Sequence, residues 1–180
     1  MSETSVDTII QKAKTAYESE DFQEAARLFE QASIELTQAG KPLDAAEMQN
    51  NRSVALLKAG KAAEALAAAQ GTDQTFGAAG DVKRQAMALG NIASALEDLN
   101  RFDEAMQTYT QSADLFKQIG ERELRAYVLE RISGLQLRKG KRIESLATKE
   151  AAIASKDHLS LTDRILKGLL GIIHKLTGQK

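Results

Sequence analysis

Apolar residues return along this chain in stripes of helical period, and the stripes themselves return every forty residues. The stretch from Asp81 to Gly120 is the clearest. Met87, Leu89, Ile92, Ala93, Leu96 and Leu99 recur mostly at three- and four-residue steps, the spacing of one buried helix face. Asn100-Arg101 interrupts the pattern. A second stripe follows in Phe102, Ala105, Met106, Tyr109, Ala113 and Phe116, and Gly120 closes it. Only a tight turn fits between the stripes, so the two helices must pack antiparallel.

The same division fits the rest of the chain. Glu24, Glu64, Glu104 and Glu144 are forty residues apart, as are Gly40, Gly80 and Gly120. Ala25, Ala65 and Ala105 form another column with Ser145, and Asn51 and Asn91 a further pair. A fixed period of this length marks a stacked array of helical hairpins. First helices are predicted over Thr4–Ser19, Pro42–Ala59, Asp81–Leu99 and Glu121–Lys139. Second helices are predicted over Phe22–Ala39, Ala62–Ala79, Phe102–Ile119 and Arg142–Lys156. A final helix covers about Leu161–Leu176. The expected fold is therefore all-α, about nine helices in one domain over residues 1–180. Its repeats are about 4–40, 41–80, 81–120 and 121–160, with a terminal helix over 161–176. Gly71 falls inside the second helix of the second repeat, at a cost of about 1 kcal/mol against alanine. The forty-residue phase runs through it, so a continuous but soft helix is expected there, with a kink as the alternative.

Composition narrows the function. Hydrophobic residues make up 43% of the chain and aromatic ones only 4%, so the core is built from Ala, Leu and Ile. Cysteine is absent, which excludes a disulfide framework, a thiol nucleophile and a cysteine zinc site. That absence fits a reducing, cytoplasmic setting. The polar start, Met1 to Thr8, does not read as a secretory signal. Charge is unevenly placed: residues 1–100 carry 9 basic and 15 acidic side chains (-6), and residues 101–180 carry 15 and 10 (+5). Such a gradient can steer a charged partner.

The repeat resembles the tetratricopeptide repeat family, whose pattern runs W-x2-L-G-x2-Y and then A-x3-F. The third repeat answers with Leu89-x2-Ile92-Ala93-x2-Leu96 and Ala105-x3-Tyr109, and the first with Ala25-x3-Phe29. Ala13 and Ala93 take the small-residue column where two helices touch, with Ser53 and Ser133 as substitutes. The match covers essentially the whole chain. The departures are the forty-residue period, the missing tryptophan, Gln49 and Arg52 at usually apolar positions, and Lys149 in the aromatic column. Related helical repeats, such as those of vesicle-fusion adaptors, are a neighbouring reading. The resemblance implies a right-handed solenoid whose first helices line a concave face. It further implies a non-catalytic scaffold that holds a peptide or partner protein there.

On those first helices one column reads Gln11, Asn51, Asn91 and Arg131. An amide both donates and accepts, so it can pair with an extended peptide backbone. Arg131 can take a carboxylate with two parallel bonds. Neighbouring groove positions are Lys14, Asn50, Ser94, Tyr127 and Arg138. The candidate peptide-binding set is thus Gln11, Lys14, Asn51, Asn91, Tyr127 and Arg131. The plainer alternative is that the asparagines bond to the next repeat. Ile10 and Met87 stand where a carboxylate clamp of this family needs basic residues, which argues against that particular ligand.

Other chemistry finds less support. No cofactor, small-molecule substrate, metal site or catalytic set is expected. His158 and His174 are sixteen residues apart, too far for a ligand pair on one helix. Arg138-Lys139-Gly140-Lys141-Arg142 reads first as a solvated turn, with anionic lipid or nucleic acid as lesser readings. It has no interleaved aromatics for base stacking. In the final helix Ile165, Leu166, Leu169, Leu170, Ile172, Ile173 and Leu176 form one broad apolar stripe, with Arg164, Lys167 and Lys175 opposite. It reads first as the cap a solenoid end requires. A homodimer through this helix and adsorption to a membrane are the alternatives.

Overall fold

The computed structural model of the chain describes the backbone of residues 3–177 and the side chains of residues 6–172. Among these residues there are ten helices and no strand. They are α1 (Glu3–Glu18), α2 (Phe22–Gln38), α3 (Pro42–Lys58), α4 (Ala62–Ala69) and α5 (Thr72–Ala78). Then come α6 (Val82–Asp98), α7 (Phe102–Gln118), α8 (Arg122–Arg138), α9 (Arg142–Ser155) and α10 (Leu161–Thr177). The chain divides into two compact units, Met1–Thr108 and Tyr109–Lys180, with the division falling within α7.

One turn geometry recurs. Every twenty residues a residue takes a left-handed backbone: Glu20, Gly40, Gly60, Gly80, Asn100, Gly120 and Gly140, with φ between 60° and 75°. At each, two reverse hydrogen bonds close the helix, as in Lys41 N to Leu36 O (2.9 Å) and Gly40 N to Thr37 O (3.0 Å). This satisfies carbonyls that a helix end otherwise leaves orphaned. Two residues later the next helix begins. Asp21 and Asp81 cap their helices by accepting the backbone N–H of Glu24 and Arg84, and Pro42 takes the first helical position, where its missing N–H costs nothing.

The N-terminal unit has a core of small and medium residues. Ala13, Ala25, Ala55 and Ala65 are fully buried, with Phe29, Leu36, Met48 and Leu56 packed among them. Alanine at the crossings lets helices approach closely. The apolar positions missing from the second repeat serve α2: Gln49 donates to Ser33 Oγ (2.9 Å), and Arg52 pairs with Glu30 (3.0 Å).

The expectation of a continuous helix through Gly71 is corrected. The chain breaks between α4 and α5, with Gln70 extended (ψ 127°) and Gly71 left-handed (φ 85°). The reason lies one residue on. The hydroxyl of Thr72 sits 2.7 Å from the Ala69 carbonyl and 3.1 Å from Oδ1 of buried Asn50. The new start of α5 then delivers Phe76, fully buried, against Leu43, Ala46 and Ala88. The forty-residue phase survives, since Leu36, Phe76 and Phe116 are all buried.

In the C-terminal unit α8 and α9 pack as a hairpin. Ser133 and Ser145 bond reciprocally at the crossing: each hydroxyl lies within 3.0 Å of the other's carbonyl, and the hydroxyls are 3.0 Å apart. Lys149 does not fill an aromatic slot; its ammonium bonds Glu130 at 2.8 Å. Lys156 bonds Glu130 and Asp163, both at 2.9 Å. At the start of α10, Ser160 N and Oγ donate to Asp163 Oδ2 while Asp163 N donates to Ser160 Oγ, a reciprocal cap. Charge and cap together pin α10 at its first turn.

The broad stripe of α10 divides. Leu170 is buried and Leu166 half-buried, whereas Ile165, Leu169 and Ile172 are more than half exposed. Ile173, His174, Lys175 and Leu176 lie outside the described side chains.

Candidate functional site

The candidate residues sit on α1, α3 and α6 in the N-terminal unit and on α8 in the C-terminal unit. In the N-terminal unit, α1, the end of α2 and the start of α3 enclose an open groove of ≈ 1000 Å³. Helical periodicity places Asp7, Ile10, Gln11 and Lys14 on the α1 face that lines it. Its apolar lining is Val6, Ile10, Leu36 and Met48. Gln11 and Lys14, both exposed, line this groove. The departure at Ile10 gives it an apolar wall where a carboxylate clamp would present a cation.

Four carboxylates also line the groove, Asp7, Glu35, Asp44 and Glu47, against the two lysines Lys14 and Lys41. Sequence reasoning did not select these acids; the signal available was the acidic excess of the first hundred residues. Glu47 is held by Arg84 (3.0 Å), which also pairs with Asp81 (2.6 Å) and lies 5.0 Å over the Phe76 ring. The backbone N–H of Arg84, and then its guanidinium, keep the Asp81 carboxyl below its ordinary value.

Asn51 and Asn91 lie outside the lining of that groove. Each is half-buried, and neither side-chain amide hydrogen-bonds another described residue. Asn50, proposed beside them from the sequence, is instead buried and structural, since its Oδ1 meets Thr72. In the C-terminal unit Tyr127 is 59% exposed on α8. Arg131 is half-buried and its Nε donates to the buried Tyr109 hydroxyl at 3.3 Å. That bond orients the guanidinium while leaving it at the surface of α8.

Among the described residues no group of three His, Cys, Asp or Glu side chains gathers as a metal ion would require. No described helix is long and apolar enough to cross a membrane.

Known proteins agree with this architecture. A crystal structure of nearly identical TPR-like repeats from Podosopora anserina, provisionally assigned as a kinesin light chain, is 15% identical. It superposes with a TM-score of 0.74 over 97% of this chain and 88% of that one. The crystal structure of BtubC (BKLC) from P. vanneervenii is 18% identical, with a TM-score of 0.75 over 96% of this chain and 73% of that one. At such identities the likeness shows the fold alone, an array of tetratricopeptide-like hairpins. No curated protein matches the chain. The sequence pattern of the soluble NSF attachment proteins matches residues 2–170, nearly the whole length, and the chain therefore belongs to the soluble NSF attachment protein (SNAP) family.

Proposed function

We propose that this protein is a non-catalytic adaptor that holds a partner protein, or an extended segment of one, on its first helices. The observation that carries the reading is the α1–α3 groove, with an apolar lining and a polar rim that includes Gln11 and Lys14. Docking clefts pair an apolar floor with a few oriented polar groups in this way. The four carboxylates at its edge favour a segment that carries positive charge. The uncommitted amides of Asn51 and Asn91 are suited to a peptide backbone, and Tyr127 and Arg131 supply an aromatic and a cationic contact on α8. The family's name describes attachment to NSF, so NSF is the first partner to test.

The experiment compares wild type with the Gln11→Ala/Asn51→Ala/Asn91→Ala protein and with an Arg131→Ala protein. Binding to NSF is read by calorimetry, and native-host captures are read by mass spectrometry. Weakened binding of NSF, or loss of a captured protein, with unchanged melting temperature supports the assignment. Equal binding and equal captures by all three proteins remove it. A lowered melting temperature with intact binding returns the asparagines to a structural role.

A further inference from the structure

The turn between α8 and α9 differs in build from its counterparts. In the first repeat, Tyr17 and Phe22 flank the turn and pack edge to face, with ring centroids 5.3 Å apart. Both are half-buried, so the turn is sealed by its own apolar pair. Forty-residue steps carry the Phe22 column to Ala62, Phe102 and then Arg142. The first three are half-buried; Arg142 is exposed. The Tyr17 column arrives at Leu137, which has no ring to pack on and is 59% exposed.

Ile143 completes the picture. Its column reads Gln23, Ala63, Asp103 and Ile143, and all four are exposed. Helix geometry turns this position to solvent in every repeat, and only the fourth places a large aliphatic residue there. Ile143 is 83% exposed, the most open of the large apolar side chains described. Between Leu137 and Ile143 lie Arg138, Lys139, Lys141 and Arg142, all exposed, with Gly140 at the turn, and Glu144 follows.

We propose that this turn is a contact site for anionic membranes. Two protruding aliphatic side chains enter the headgroup boundary while Lys141 and Arg142 meet lipid phosphates and carboxylates. Charge complementarity selects an anionic surface. The aliphatic pair favours a bilayer over an acidic protein, because it projects beside the charges on a turn rather than lining a groove. The site is independent of the groove on α1 and α3.

The test is co-sedimentation with vesicles of phosphatidylcholine containing about 30% phosphatidylserine, against phosphatidylcholine alone, at low and high salt. The wild-type protein sediments with the anionic vesicles only, and salt releases it. Lys141→Gln/Arg142→Gln weakens binding at least tenfold, at about fivefold per charge. Leu137→Ser/Ile143→Ser weakens it by a similar factor, at unchanged helicity and melting temperature because all four side chains are exposed. Absence of sedimentation with anionic vesicles overturns the proposal. So does full vesicle binding by the Leu137→Ser/Ile143→Ser protein together with equal affinity for poly-glutamate, which assigns the turn to an acidic protein surface.

Discussion

The chain leaves helical geometry at Gln70 inside the second repeat and at Lys156 at the end of α9, and it seals the two breaks by opposite means. In the second repeat the extended residue is Gln70, and the seal is neutral: Thr72 meets Asn50, and Phe76 fills the core behind it. At the end of the fourth repeat the extended residue is Lys156 (ψ 141°), and the seal is ionic, running through Lys149, Glu130, Lys156 and Asp163. A neutral seal needs burial and one well-placed partner. An ionic seal tolerates exposure, but depends on the protonation of its carboxylates. The two breaks should therefore fail under different conditions.

The largest expected effect is at Asp163. Asp163→Ala removes both the Lys156 pair and the reciprocal cap, costing the C-terminal unit about 2–3 kcal/mol. Acid should reproduce this without mutation. Hydrogen bonds from Lys156 and then Ser160 hold the Asp163 carboxyl at about 2, against an ordinary 3.8. A depressed folded value means its contribution is complete above about pH 4 and disappears as pH falls towards 2. Glu130 shifts the same way, burial pushing it up but the bonds from Lys149 and Lys156 prevailing. Lys156 has the opposite sign: its raised value keeps its part intact below about pH 10.5 and loses it only in stronger base. Amide exchange along α10 across an acid titration measures this, and flat protection from pH 5 to pH 2 would refute the ionic seal.

A smaller loss is expected at the neutral break. Thr72→Val keeps the shape and removes the hydroxyl that the Ala69 carbonyl and buried Asn50 share, at about 1–2 kcal/mol. Denaturant melts should show the same loss at pH 4 and pH 7, and a loss that grows at pH 7 would mean the two seals are not of different kinds.

The smallest effect separates the serine crossings of the same two repeats. Ser133 has Ser145 as a reciprocal partner, whereas Ala65 takes the Ser145 column in the second repeat and the buried hydroxyl of Ser53 has no hydrogen-bond partner among the described residues. Ser133→Ala should cost about 1 kcal/mol, and Ser53→Ala should cost nothing or add up to about 1 kcal/mol of stability. Paired thermal melts decide it; a clear loss at Ser53 would show that its hydroxyl is satisfied after all.

Much of this was legible beforehand. The period of forty, the apolar stripes and the glycine and asparagine columns gave eight of the nine expected helices to within one or two residues, the exception being Ala62–Ala79, which breaks into α4 and α5. The reason is that the same local physics acts in each repeat: a helical stripe, a left-handed turn residue and a small residue at the crossing. That Gln11 and Lys14 share one face of α1 follows from periodicity alone.

Other features were not legible because they depend on pairs far apart in sequence. Gly71 signalled a weak point, but only Asn50, twenty-two residues before its partner Thr72, makes a break preferable to a soft helix. Asn50 looked like Asn51's neighbour in a groove, and packing buried it. Lys149 looked like a defect in an aromatic column until Glu130 and Lys156 were placed around it. The chain by itself determined the helices and their order, because those rest on local periodicity. Tertiary contact decided which polar residues are spent on the fold and which remain available, because a side chain's partners are set by burial and distance.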